Sequence, residues 1–130
     1  MKIQITEQQL HCIFENIDVD IQKELDDIID KYENLGMALW IYYTESNNTI
    51  KISSIKIKDK SLRRQGLGSS LMGEITSLAD KYSLTCILTP DGSETSLNVL
   101  KRFYGDFGFI PNKGRYKDFR FMDTMIRIPQ

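Results

Sequence analysis

The spacing of apolar side chains changes at Gly36, and this change limits the chain to folds that combine helices with a sheet. Between residues 19 and 34 the apolar side chains recur every three or four positions, which places them on one face of a helix. They are Ile21, Leu25, Ile28, Ile29 and Tyr32. From residue 37 to 58 the pattern is that of two strands, with turn residues at 45–48 between them. The sequence therefore predicts a helical front followed by a β-hairpin.

The predicted hairpin joins strands at Met37–Thr44 and Thr49–Lys58. The second strand alternates well except in its middle, where Ile52 and Ile55 lie three positions apart instead of two. An extra residue at Ser53-Ser54 would produce this slip, as in a β-bulge. A simple change of burial along the strand explains the slip equally well, so both interpretations stand at this point.

The same patterns predict the remaining elements. An earlier helix is expected over Glu7–Asn16, with Asp18 or Asp20 capping the helix that follows it. After the hairpin we expect a helix at 71–82, a strand at 85–89, a helix at 94–106 and closing strands at 108–111 and 120–128. A chain of 130 residues has room for one domain of this kind. The predicted class is α/β in the broad sense, of the α+β type.

The composition bears on the location of the protein, on disulfide formation and on metal binding. The apolar runs are far shorter than the ~20 residues of a membrane span, and the first residues lack the pattern of a secretory signal. We therefore expect no membrane insertion and a cytoplasmic location. Cys12 and Cys86 are expected to be small apolar residues, not a disulfide. With His11 as the single histidine, a Cys/His metal site has too few ligands.

Charge is distributed unevenly although the formal net charge is only −1. Residues 1–35 are strongly acidic, which suits attraction of a cationic ligand. Basic residues gather at 51–64 and again at 113–120, which suits a compact polyanion. Binding along a nucleic-acid backbone is not expected, because such proteins usually carry a net basic domain.

The loop at 63–69 lies between a predicted strand and a predicted helix. The first turn of a helix has unpaired N–H groups and a partial positive charge, and Gly66 and Gly68 allow close approach of an anion. The loop lacks the Lys-Ser/Thr ending of a Walker A motif and the third glycine of a dinucleotide fingerprint. The pattern Arg/Gln-x-x-Gly-x-Gly/Ala that remains makes residues 55–82 resemble the acetyl-CoA motif of the GNAT superfamily of N-acetyltransferases.

A second stretch agrees with this resemblance. Tyr104-x-x-x-Gly108-Phe109 is similar to the Tyr-x-x-x-Gly-Phe ending of a later helix in that family. The two motifs stand in the family's order, and the resemblance covers about residues 37–128. It implies a mixed, mostly antiparallel central sheet flanked by helices, and transfer of an acetyl group from acetyl-CoA to an amine.

The resemblance also implies roles for individual residues. The strand edge at Ile55, Lys56 and Ile57 would pair with the pantetheine arm of acetyl-CoA. The pyrophosphate would be held by the loop and the start of the helix, at Arg63, Arg64, Gln65, Gly66, Leu67, Gly68 and Ser69. Tyr104 would protonate the departing thiolate; the alternative is that it is a core aromatic like its neighbours.

Three questions stay open on sequence grounds. The general base is not identified, and Glu45, Glu33 and Asp30 are the candidates. The acceptor is either a small amine or a lysine or N-terminus of a protein, and a non-catalytic acetyl-CoA sensor is the alternative to an enzyme. The aromatic run at 40–43 offers apolar surface for a homodimer, although burial under helices explains it equally well.

Overall fold

The structure is a computed structural model that describes residues 7–58, 66–92 and 96–130, with the backbone alone at 7–16 and Tyr116. In this part of the chain the helices are α1 (Glu7–Asn34), α2 (Leu67–Lys81) and α3 (Leu97–Gly105). The strands are β1 (Met37–Thr44), β2 (Thr49–Ile57), β3 (Thr85–Leu88), β4 (Ile110–Pro111) and β5 (Met125–Arg127). Two short 3-10 helices lie at Glu45–Asn47 and Gly114–Tyr116.

The five strands form one mixed sheet in the order β1-β2-β3-β5-β4. β2 and β3 are parallel, and the other neighbouring pairs are antiparallel. All three helices pack against the same buried cluster, to which Ile52, Leu88 and Met125 contribute from the sheet. We call this side of the sheet the helix face. The expected α+β fold with a mostly antiparallel sheet is confirmed.

The opposite side of the sheet, the second face, carries Lys51, Ile87 and Ile126, which occupy successive positions across three strands. Ile87 and Ile126 form a small separate cluster with Phe121. Trp40 and Tyr42 alternate with buried Leu39 and Ile41 in β1, so they project from this second face, and they are 48% and 51% exposed. Half of the aromatic run at 40–43 is therefore surface and half is core.

The hairpin contains the β-bulge that the isoleucine spacing suggested. Trp40 pairs with Ser54 while the next residue, Ile41, pairs with Ile52, so Ser53 is the extra residue in β2. Because of this insertion, Ile52 and Ile55 both contact the core of the helix face although they lie three positions apart.

The first helix differs from the prediction. Two helices with a cap at Asp18 or Asp20 were expected, but one uninterrupted helix runs from Glu7 to Asn34 and both aspartates lie inside it. The three-four spacing continues through Ile17 to Ile21 with no glycine or proline between, so no signal stops the helix.

The last strand is shorter than predicted, at Met125–Arg127, because residues 112–124 form a loop instead. Arg127 fixes this strand to its surroundings. Its guanidinium donates to both carboxylate oxygens of Asp80 in α2, at 2.8 and 3.0 Å, and to the Phe107 carbonyl at 2.6 Å. Beside it Gly108 has a φ of 95°, where an added Cβ would lie 2.6 Å from the Gln130 amide nitrogen. The Gln130 side chain could move aside, so it is the positive φ that favours glycine at this position of the Tyr-x-x-x-Gly-Phe stretch.

Cys86 is a free thiol in the core of the sheet. Burial raises its pKa to about 12, so it stays protonated and behaves as a small apolar side chain, as expected. The side chain of Cys12 lies outside the described residues.

Candidate functional site

The parallel strands β2 and β3 separate after four paired positions. Their last pair is Ile52 with Leu88, although β2 continues to Ile57 against β1. A cleft of about 110 Å³ opens where the two strands part. Its walls are residues 52–56 of β2, Leu88 and Thr89 at the end of β3, Asp91, and Leu100 and Tyr104 of α3. The geometry of the parallel pair thus creates a narrow opening between the sheet and α3.

One wall of the cleft is an unpaired strand edge. From Ser53 to Ile57, no described strand pairs with β2 on the side away from β1. Backbone N–H and C=O groups seek partners strongly, so such an edge can accept an extended ligand as an added strand. Ile55 and Lys56, two of the residues predicted to contact a cofactor, line the cleft, and Ile57 follows them along the edge.

Tyr104 lies on the opposite wall, in the third turn of α3. Its ring meets Phe103 and Phe109 edge-on, with centroids 5.2 and 5.8 Å apart, and it packs against the core of the helix face. Its half-burial raises the pKa of the phenol above the ordinary value, so the hydroxyl is protonated at neutral pH. Tyr104 is therefore both a packed aromatic and a neutral proton donor that borders the cleft.

The start of α2 lies close to α3. Gly66 caps this helix with a φ of 73°, and the N–H of Ser70 is bonded to the Gly66 carbonyl at 2.9 Å. The N–H groups of the first turn, at Leu67, Gly68 and Ser69, have no partner within the helix. A Cβ built on Gly68 would lie 3.6 Å from the ring of Phe103, next to Tyr104. The two sequence motifs therefore meet at this contact, while Arg63, Arg64 and Gln65 lie outside the described residues.

The carboxylates proposed from sequence as general bases do not border the cleft. Glu45 lies in the 3-10 turn at the far end of the hairpin, beside the start of β3. Glu33 and Asp30 are exposed residues near the end of α1. Part of the acidic front is instead engaged in structure: Asp18 accepts a hydrogen bond of 2.6 Å from Tyr43, and Glu24 pairs with Lys81 at 2.6 Å.

Two other carboxylates lie at the cleft: Asp91 is one of its wall residues, and Asp123 contacts the wall residue Thr89. The hydroxyl of Thr89 donates to Asp123 Oδ1 at 3.3 Å and accepts from the Thr124 N–H at 3.2 Å. The Asp123 side chain is only 12% exposed, and the ammonium of Lys51 lies 3.8 Å from the same oxygen. Sequence reasoning missed this group because Thr89 and Asp123 are 34 positions apart.

Asn112 holds the loop that carries Asp123. Its side-chain amide donates to the carbonyls of Asp118, Phe121 and Asp123 at 3.2 to 3.3 Å. Its own backbone N–H donates to the Thr124 carbonyl at 2.8 Å. The signal that could have found this role is a single asparagine at the start of a polar stretch, a residue type that commonly organises loops through backbone hydrogen bonds.

No protein-family model matches this chain, and no curated protein matches it. Among the described residues, no helix is long and apolar enough to cross a membrane.

Proposed function

We propose that this protein is an acetyl-CoA-dependent N-acetyltransferase of the GNAT type. The observation that carries the proposal is a cleft between a free strand edge and a protonated tyrosine, with the glycine-bearing start of a helix packed against the residue next to that tyrosine. Each of these could be structural by itself. Their convergence matches the chemistry of acyl transfer, which needs a site for the acyl donor, stabilisation of an oxyanion and a proton for the leaving group.

The cleft fits the reactive end of such a donor. Its volume of about 110 Å³ is well below the ~300–1,000 Å³ of pockets that enclose whole drug-sized ligands. It has room for an acetyl thioester group, while a long cofactor arm would have to follow the edge of β2 outward. The edge at Ile55–Ile57 supplies hydrogen-bonding backbone for that arm, and the α2 N-terminus supplies N–H groups and a positive dipole end for the pyrophosphate.

Acetyl-CoA would supply an activated acetyl group, and the chain's residues would supply orientation and proton transfer. A backbone N–H on the free edge of β2 would stabilise the negative charge that develops on the carbonyl oxygen. Tyr104 would give its proton to the thiolate. With a phenol pKa near ~10 and a thiol pKa near ~8.5, this transfer is uphill by about 2 kcal/mol before burial is considered. Fixed geometry at the cleft must therefore favour it.

The acceptor would be a primary amine of a small molecule or of a protein. The acidic α1 would attract cationic amines over a distance, consistent with a cytoplasmic enzyme acting on such acceptors. A non-catalytic acetyl-CoA sensor would use the same binding groups, and turnover separates it from the enzyme.

The test is calorimetric titration of acetyl-CoA into the unmodified protein, Gly66→Asp and Gly66→Asn. Asn and Asp have nearly the same shape and both tolerate positive φ, and a side chain at Gly66 meets nothing described within 4 Å. We expect saturable binding by the unmodified protein, little change in Gly66→Asn and loss of binding in Gly66→Asp, because the carboxylate repels the pyrophosphate. Folded protein that is free of CoA and fails to bind acetyl-CoA would refute the proposal.

A further inference from the structure

We propose that Asp123, acting through the hydroxyl of Thr89, is the general base that receives the proton of the acceptor amine. This inference rests on the proposed acetyltransferase function and extends it to the half of the reaction for which sequence motifs identify no residue. The acceptor would then approach the cleft from the second face of the sheet.

The first argument is the connection between Asp123 and the cleft. Thr89 is a wall residue of the cleft, and its proton points to Asp123 Oδ1 at 3.3 Å while the Thr124 N–H fixes its oxygen from another direction. The donor–acceptor distance exceeds the usual 2.7–2.8 Å of a hydroxyl hydrogen bond, and bonds of this kind commonly shorten when substrate binds. A proton that reaches Thr89 from the cleft therefore has a defined path to a carboxylate.

The second argument is the rigidity of the carboxylate. The carbonyls of Asp123 and Thr124 accept hydrogen bonds from Asn112 at 3.2 and 2.8 Å, so the backbone on which Asp123 stands is held in place. Its side chain is 12% exposed. A carboxylate held this way loses little entropy when it acts, which is the condition for efficient proton transfer.

The third argument is the placement of the two proton-transfer groups. Tyr104 packs on the helix face, whereas Asp123 lies beside Lys51, which projects from the second face. Tyr104 and Thr89, which contacts Asp123, both line the cleft. In acyl transfer one proton leaves the attacking nitrogen and another reaches the departing sulfur, which are separate substituents of the reacting carbon. A base and an acid at separate places on the cleft wall can serve these two atoms.

Lys51 shows that a primary ammonium can occupy the region next to Asp123. Its nitrogen lies 3.8 Å from Oδ1, and its side chain is 48% exposed, so the pair is weak and open to competition. A cationic acceptor can therefore replace Lys51 as the partner of Asp123 before it loses its first proton to solvent. The expected acceptor class is an aliphatic primary amine on a narrow stem.

The step balances as follows. The neutral amine attacks the acetyl carbonyl carbon, and a nitrogen–carbon bond forms as the carbon–sulfur bond breaks. The surplus proton on nitrogen passes to the Thr89 oxygen while the Thr89 proton passes to Asp123. Tyr104 gives its proton to the sulfur, and exchange with solvent then returns a proton to Tyr104 and removes one from Asp123.

The experiment compares Asp123→Asn, Thr89→Val, Asp91→Asn and Asp118→Asn with the unmodified protein. Asp118 lies in the same loop but pairs with Arg120, so it controls for loss of a loop carboxylate. Thiol release is followed with spermidine and with a lysine-containing peptide, and acetyl-CoA affinity is measured by calorimetry. We expect kcat to fall about 100-fold or more in Asp123→Asn and about 10-fold or more in Thr89→Val. Acetyl-CoA affinity should change less than about two-fold in Asp123→Asn, because Asp123 is not a wall residue of the cleft.

Chemical rescue separates a base from a structural role. Formate should restore at least about ten-fold of the activity lost in Asp123→Gly, since a small carboxylate can enter the vacated space. Activity retained in Asp123→Asn, an equal loss in Asp118→Asn, or a comparable loss in Asp91→Asn would overturn the assignment while leaving the acetyltransferase intact. A protein that binds acetyl-CoA but releases no thiol with either amine would refute catalysis and this base together.

Discussion

The hydroxyl of Tyr104 is the smallest unit on which the proposed chemistry depends. The ring is fixed by Phe103 and Phe109, and Tyr104 is one of the residues that line the cleft. Structural and catalytic roles can therefore be separated by removing one oxygen atom.

Tyr104→Phe should lower kcat by about 10- to 100-fold with little change in acetyl-CoA affinity or thermal stability, because the aromatic packing is kept. The raised pKa of Tyr104 gives a second readout. Activity that needs the protonated phenol should fall only above the ordinary tyrosine range of about pH 10, and the substitution should remove that alkaline decline.

Steady-state kinetics across pH, with calorimetry of acetyl-CoA binding, checks this expectation. Tyr104→Leu is the companion variant, since it should lose stability as well as activity. Unchanged kcat in Tyr104→Phe, in a protein that turns over, would make Tyr104 a core aromatic only.

At the scale of elements, the pair of Asp80 and Arg127 joins α2 to β5. Arg127 is 5% exposed and Asp80 is 32% exposed, and Asp80 also accepts from the Gln130 N–H at 2.9 Å. The Arg127 guanidinium holds the pKa of Asp80 below its usual value. This contact anchors the C-terminal end of β5, while the loop of Asn112 and Asp123 leads into the other end of that strand.

Asp80→Asn should reduce the free energy of unfolding by about 2–3 kcal/mol, because it leaves a buried guanidinium without its counter-charge. Asp106→Asn, an exposed change at the end of α3, should have an effect below about 0.5 kcal/mol. Urea unfolding at pH 7 provides both values.

The pH dependence follows from the lowered pKa of Asp80. The ionised carboxylate stabilises the folded state above the unfolded-state pKa of about 3.9, and this stability is lost as pH falls through the lower folded-state value. The difference in stability between the unmodified protein and Asp80→Asn should therefore shrink below about pH 4. A difference that is constant between pH 7 and pH 3 would contradict this account.

At the scale of the whole molecule, the proposed ligand bridges elements that the chain places far apart in sequence. The edge of β2 and the side of α3 line the cleft, and the start of α2 lies next to α3 at Phe103. A ligand that binds all three should stabilise the fold as one unit and should protect these segments most strongly.

Acetyl-CoA at 100 times its Kd should raise the free energy of unfolding by about 2.7 kcal/mol. Amide hydrogen exchange should slow at 53–57 and over the first turn of α2, where backbone N–H groups gain partners. The outward face of α1 should show no local change beyond the global one. Exchange and thermal unfolding with and without acetyl-CoA check both points, and protection confined to α1 would place the ligand elsewhere.

The sequence determined the features that depend on neighbours along the chain. The spacing of Ile52 and Ile55 indicated either a bulge at Ser53-Ser54 or a change of burial, and the strand contains the bulge, because an insertion resets the alternation of strand faces. Local periodicity also predicted α2, β3 and α3. The prediction was wrong at two boundaries. Near Asp18 a helix end was predicted but the helix continues, and before Met125 a strand was predicted but the chain forms a loop.

Only the tertiary structure decided which side chains share the cleft. β2 separates from β3 after Ile52, Gly68 lies against Phe103, and Thr89 contacts Asp123. Each of these features involves segments that are distant in the sequence. Such contacts depend on side-chain packing and on the paths of loops, which single residues such as Asn112 determine. Neither packing nor loop path produces a periodic pattern in the sequence. The residues of a site can therefore be proposed from motifs, but their partners emerge only when the strands and helices are assembled.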